Sequence, residues 1–146
     1  MSFMNILDIG ASALSAERKH LNVISMNLAN AKTTRTPEGG PYQRKTVYFQ
    51  ATPVETPFGK AMQSELQREL RGVKAQMVVN DNRPFKMVYD PGHPDADQEG
   101  YVKMPDINVV EEMANMLTAM RTYEANVSSI TTSKAMFNKA LEIGRG

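Results

Sequence analysis

From Val109 to Leu141 apolar side chains recur at alternating steps of four and three: Val109, Met113, Met116, Met120, Tyr123, Val127, Ile130, Phe137 and Leu141. Lys134, with Ala135 beside it, is the one polar place in the series. A 3.5-residue period marks a helix that packs lengthwise on other helices. A helix inside a compact domain carries a broader apolar face and seldom runs past about 25 residues. The same pattern read as the core helix of an ordinary domain is the competing account. Asn108 is placed to cap the start, and Glu111 three residues on completes a capping box. Gly144 and Gly146 mark the stop, with Arg145 where a helix C-terminus favours a cation.

The first segment mirrors the last. Leu7, Leu14, Leu21 and Leu28 repeat at seven, with Ile24 and Ala31 filling the intermediate positions towards the C-terminal side and Gly10 and Glu17 narrowing the stripe earlier on. The small residues Gly10, Ala11, Ala13 and Ala16 permit another helix to approach closely. This reads as one helix over 3–31, ended by the aperiodic Lys32-Thr33-Thr34-Arg35-Thr36-Pro37. Asparagine is a poor helix former, so the amides of Asn27 and Asn30 are expected to bond backbone or a neighbour.

Residues 32–105 change character. Thr36 to Pro41 is turn chemistry; Tyr42–Gln50 and Gly72–Asn80 alternate as strands, and Phe85, Met87 and Tyr89 as a shorter third. Two prolines break the pattern between Thr52 and Gly59. Ala61–Leu70 is polar and reads as a loop or a short solvated helix, and Asn80-Asp81-Asn82 as a turn. Asp90–Pro105, rich in proline, glycine and aspartate, reads as an ordered loop. The expected fold is mainly α with a small β insert: helices over 1–31 and 106–146 form a coiled-coil layer, and 32–105 forms a β-rich insert with an extended loop.

Length makes that layer incomplete. Helices of about 28 and 36 residues span about 42 and 54 Å, while a compact domain of this size is about 40 Å across. The ends of the second helix and much of its apolar seam therefore need partners that the small insert cannot supply.

Composition removes several function classes. A net charge of +1, with basic residues scattered apart from Arg18-Lys19-His20 and Arg44-Lys45, does not suit a nucleic-acid binder, which concentrates basic charge in a patch. With no cysteine, disulfide scaffolds, thiolate zinc sites and cysteine nucleophiles are excluded. No apolar run approaches the roughly 18 residues of a membrane span. The N-terminus lacks a basic region ahead of an apolar one, Asp8 interrupts the apolar stretch, and Ala11-Ser12-Ala13 is a poor cleavage site. Export, if it occurs, is expected without a cleaved signal. Asp95-x-Asp97-x-Glu99-Gly100, with Asp106 twelfth, has calcium-loop spacing, but Pro91 and Pro94 stand where an entering helix should run and Pro105 sits inside the loop. It reads as a solvated acidic turn. His20 and His93 are the only histidines, and His93 is expected to hydrogen-bond loop backbone. No nucleophile elbow, phosphate loop or dinucleotide fingerprint is present, so no catalytic, cofactor or metal residues are assigned. Methionine at Met113, Met116 and Met120 suits a surface that meets non-identical neighbours, since its side chain adapts in shape.

Three stretches resemble bacterial flagellar axial proteins, the family of basal-body rod and hook subunits, and within it the proximal-rod members: LNVISMNLANAKTTRT (21–36), YDPGHPDADQEGYVKMPDINVVEEM (89–113) and AMRTYEANVSSITTSKAMFNKALEIGRG (119–146). The pattern departs at Lys32 and Asp106, where asparagine is expected. The resemblance implies a structural, non-enzymatic subunit without cofactors. It implies export through the flagellar type III apparatus without signal cleavage, and assembly into a helical tube that crosses the periplasm and carries torque from motor to hook. Implied partners are other rod proteins, further copies of the chain, and basal-body ring and adapter proteins, with no nucleic acid and no membrane span. The terminal helices form the inner coiled-coil layer, with the β region outside. On this chain the packing residues are then Leu7, Leu14, Leu21, Ile24 and Leu28, with the nine apolar seam positions from Val109 to Leu141. Tyr89, Pro91, His93, Pro94 and Tyr101 are expected to fix how the insert meets adjacent subunits. The alternatives are another flagellar axial subunit, a soluble coiled-coil adaptor or secretion chaperone, and a calcium-binding or catalytic module.

Overall fold

A computed structural model of the chain describes residues 3–53, 71–79 and 83–144. Among the described residues six elements follow in order: α1 Phe3–Ala29, β1 Lys45–Pro53, β2 Arg71–Val79, β3 Lys86–Tyr89, β4 Tyr101–Met104 and α2 Val109–Ile143. The architecture is mainly α with a small β region of two two-stranded sheets, β1 with β2 and β3 with β4. The expected readings of 54–70, the turn at 80–82 and the C-terminal Arg145 and Gly146 lie outside the described residues.

Both helices start and stop for local reasons. Asn108 caps α2, its Oδ1 accepting the N–H groups of Val110 at 3.1 Å and Glu111 at 3.4 Å, two of the donors a helix start leaves open. α1 ends at Ala29, two residues before the expected boundary. There the Asn30 amide donates to the Met26 carbonyl at 2.9 Å, and Thr33 donates from its hydroxyl to Asn30 Oδ1 and from its N–H to Asn30 O. A side chain that competes for backbone partners closes a helix early.

β1 begins at Lys45, so the expected strand start at Tyr42 is displaced. The turn at Thr36–Gly40, with Gly39 and Gly40 at φ 89° and 77°, folds the chain back until Tyr42 N–H bonds Thr33 O at 3.0 Å. Tyr42 is committed to that return and cannot join the ladder. Within the expected loop 90–105 lies a strand, β4, antiparallel to β3 with Val88 opposite Val102 and Tyr89 opposite Tyr101. Four residues of alternation inside Pro, Gly and Asp punctuation carry too little period to read. Val102, 1% exposed, is the apolar anchor of this hairpin.

The contacts divide the chain into two compact units, residues 1–19, 49–76 and 119–146, and residues 20–48 and 77–118. In the first, the helices run antiparallel. The rings of Phe3 and Phe137 stack with centroids 4.0 Å apart and planes 9° from parallel. Seven residues further along α1 and seven back along α2, Gly10 meets Ile130 so closely that a Cβ would sit 2.7 Å from its Cγ1. Ser12 fastens β2 to α1, donating to Ile9 O at 2.7 Å and accepting Val73 N–H at 3.1 Å. In the second unit Val23, Ile24 and Val102 supply buried apolar surface, and a buried polar cluster lies between the end of α1 and the start of α2.

Candidate functional site

Along α2 the covered face is Glu112, Met116, Ala119, Tyr123, Asn126, Ile130 and Ser133, all buried or half-buried. It steps by four and three, but its members alternate between large residues and small or polar ones. The apolar seam read from the sequence shares Met116, Tyr123 and Ile130 with it and leaves it elsewhere. Met113, Met120, Val127 and Leu141 form an exposed row at multiples of seven, 40–54% accessible. Val109 and Phe137 are also exposed, the latter on its stack with Phe3. Exposed large side chains this numerous on one helix exceed what an isolated surface helix carries.

α1 divides in the same way. Ala16, Val23, Ile24 and Asn27 are buried, whereas Leu7, Leu14, Leu21 and Leu28 are all half-buried. Leu14 and Leu21 stand two residues before Ala16 and Val23, which is just over half a turn at about 3.6 residues per turn. Leu21 and Leu28, three before and four after buried Ile24, border the packed face, and the leucine row keeps part of its surface open.

In the second unit Asn27 and Glu112, each 1% exposed, anchor the polar cluster. The Asn27 amide pairs with the backbone of Lys45 as a strand would, donating to its carbonyl at 2.9 Å and accepting its N–H at 2.9 Å. Its Oδ1 also accepts the Tyr42 hydroxyl at 3.1 Å, and its Nδ2 reaches Glu112 Oε2 at 3.3 Å. Arg44 donates to Glu112 Oε1 from Nε at 2.8 Å and Nη2 at 2.6 Å, and from Nη1 to Thr46 Oγ1 at 3.0 Å. Among the described residues no buried side-chain polar atom lacks a partner. A half-satisfied network would be worse than an apolar core, and this one is complete. Burial, and then the Glu112 carboxylate, raise the Tyr42 hydroxyl above its ordinary pKa. Asparagine bonding was expected at Asn27. Nothing in the sequence marks Glu112 and Arg44, because a carboxylate on a long helix and an arginine in a strand pattern look like ordinary solvated charges.

The hairpin between β3 and β4 holds the remaining expected contacts. Tyr89 and Tyr101 are exposed and meet edge-on across the strands, centroids 5.3 Å apart. Gly100 sits at φ 82°, where an added Cβ would be 2.9 Å from Tyr89 Cε2. Pro91 and Pro94 are exposed, and half-buried His93 accepts Asp95 N–H at Nδ1, 3.1 Å away. Asp95 takes the Thr34 hydroxyl at 2.8 Å, and Asp97 Oδ1 accepts the N–H groups of Glu99 and Tyr101 at 3.0 and 2.8 Å. These carboxylates brace a loop. Among the described residues no three acidic or histidine side chains converge as metal ligands would, and no helix is long and apolar enough to cross a membrane.

The family described as flagella basal body rod protein matches residues 7–35, and that described as flagellar basal body rod FlgEFG protein C-terminal matches residues 98–143. Asn27 lies in the first stretch and Glu112 in the second. The chain is 44% identical over 145 aligned positions to the flagellar basal-body rod protein FlgC of Salmonella typhimurium, covering 99% of this chain and 100% of that one. It is 40% identical over 153 positions to the FlgC of Borreliella burgdorferi, covering 100% of both, and 38% identical over 156 positions to that of Bacillus subtilis, covering 99% and 100%.

Proposed function

The chain belongs to the FlgC family of flagellar basal-body rod proteins, structural subunits of the rod, and from that premise we propose that the exposed row of α2 is its assembly surface. Met113, Met120, Val127 and Leu141, with the leucine row of α1, pack against the terminal helices of neighbouring rod subunits and of further copies of the chain. The observation that carries this reading is that row's exposure on a helix whose covered face is already filled. Side chains interlocked at crystal-like density make a stiff wall, and a tube built from such helices carries torque from motor to hook. In that arrangement α1 and α2 form the inner layer of a rod crossing the periplasm, and the β region lies outside. Tyr89, Pro91, His93, Pro94 and Tyr101 then set how the outer region meets adjacent subunits, rings and adapters. Delivery through the flagellar type III apparatus, with no signal removed, completes the proposal.

The row is tested by placing charge on it. Met113→Glu with Met120→Glu leaves both helices folded by circular dichroism, because neither residue is on the covered face. Cells carrying the pair in place of the native chain should lack rods and be non-motile. Normal rods and swimming in those cells would sink the assignment.

A further inference from the structure

The row has a chemical weakness. Lys134 stands at its fourth seven-residue position, so its continuous apolar stretch is Met113, Met120 and Val127, two of three being thioethers. Met113 is 54% and Met120 44% exposed, so both side chains are open to small solutes before anything covers them. With no cysteine and eleven methionines in the chain, no thiol competes for an oxidant.

We propose that Met113 and Met120 are an oxidant-sensitive modification site whose conversion to sulfoxide blocks assembly; the consequence, though not the modification, rests on the reading of the row above. The reagent is a hydroperoxide such as hydrogen peroxide. The thioether sulfur attacks one peroxide oxygen, the O–O bond breaks, and water leaves as methionine sulfoxide forms. The sulfur is oxidised by two electrons and the peroxide reduced by two. The product carries a polar, strongly hydrogen-bonding S–O group on what was an adaptable apolar side chain. Two such groups seven residues apart place oxygen along most of the apolar stretch, and packing there would bury them without partners. Met4, Met87 and Met136, 61%, 48% and 69% exposed, should oxidise alongside Met113 and Met120 but stand off the row, and the half-buried Met26, Met104 and Met116 should oxidise more slowly. A subunit already packed into the rod should be protected at the same two positions.

The experiment treats the purified full chain with hydrogen peroxide, maps sulfoxides by peptide mass spectrometry, and measures co-sedimentation with the other rod subunits before and after. Met113 and Met120 should oxidise several-fold faster than Met26 and Met104, with a parallel several-fold loss of sedimenting material. The Met113→Leu, Met120→Leu chain should sediment equally with and without peroxide. Equal rates at exposed and half-buried methionines, undiminished assembly of chain oxidised at both positions, or peroxide sensitivity persisting in the leucine variant would each overturn the proposal. The two glutamate substitutions, without peroxide, separate the readings: if they too leave sedimentation intact, the row itself is not the assembly surface.

Discussion

Asn27 concentrates the local logic of the second unit in one side chain. Its amide does for Lys45 what a neighbouring strand would do, and it also holds Tyr42 and Glu112. Breaking a buried, charged network by removing one partner leaves the other uncompensated, so its members stand or fall together. Tyr42 gives this a pH signature. Its folded pKa lies above the ordinary tyrosine value of 10.0 that applies when the chain is unfolded. The associated stability is therefore fully present below pH 10 and is lost as pH rises from there through the raised folded value. Tyr42→Phe removes the hydrogen bond to Asn27, costing about 1 kcal/mol near neutrality. It also removes Tyr42's part of the alkaline loss. Urea midpoints measured from pH 8 to 11.5 should draw closer for the two chains as the pH rises above 10. A constant gap across the range would show that Tyr42 does not titrate with unfolding.

At the scale of elements, both long helices were legible from period and caps, and three of the four strands from alternation. The fourth, Tyr101–Met104, was hidden because its pairing with Lys86–Tyr89 is a tertiary fact. The faces of the helices were legible only in part. Apolar period marks Met113, Met120 and Val127, which the fold leaves outside, and shares Met116, Tyr123 and Ile130 with the covered face, whose other members are Glu112, Ala119, Asn126 and Ser133. Close helix packing selects small residues, and small or polar residues carry no hydrophobic signal. Gly10 is the sharpest case. Gly10→Ala gains about 1 kcal/mol of helix propensity, but its Cβ falls 2.7 Å from Ile130 Cγ1 and 2.8 Å from Cδ1. Cγ1 is no free chain end, so a helix must move and the net effect is destabilising, by about 1 kcal/mol. Ile130→Ala removes both clashing carbons, so the double variant should be less unstable than the two single losses summed. A coupling of about 1 kcal/mol in a chemical-denaturation cycle fits this contact; strict additivity would not.

For the molecule as a whole, burial is spread unevenly along α2, and that sets where it should open. Its first three turns contain Glu112 and Ala119, both nearly inaccessible, whereas every residue from Lys134 to Gly144 is exposed. Isolated helical turns are marginal in water, since propagation alone barely exceeds the cost of ordering the chain. The last three turns have the Phe3–Phe137 stack and the exposed Lys139–Glu142 pair at 2.7 Å, and an exposed ion pair adds well under about 1 kcal/mol. Local opening is governed by such contacts. Amides of Phe137–Ile143 in the isolated chain should therefore exchange with deuterium orders of magnitude faster than those of Ala114–Ala119, with a graded fall between them. Packing of the exposed row in the rod would cover Leu141 and Phe137, so assembled chain should protect the same amides strongly. Uniform protection along α2 in the isolated chain would mean that the helix needs no neighbours to hold its end. The order of the C-terminal turns would then be intrinsic to the chain, and a subunit could enter the rod with its longest helix already complete.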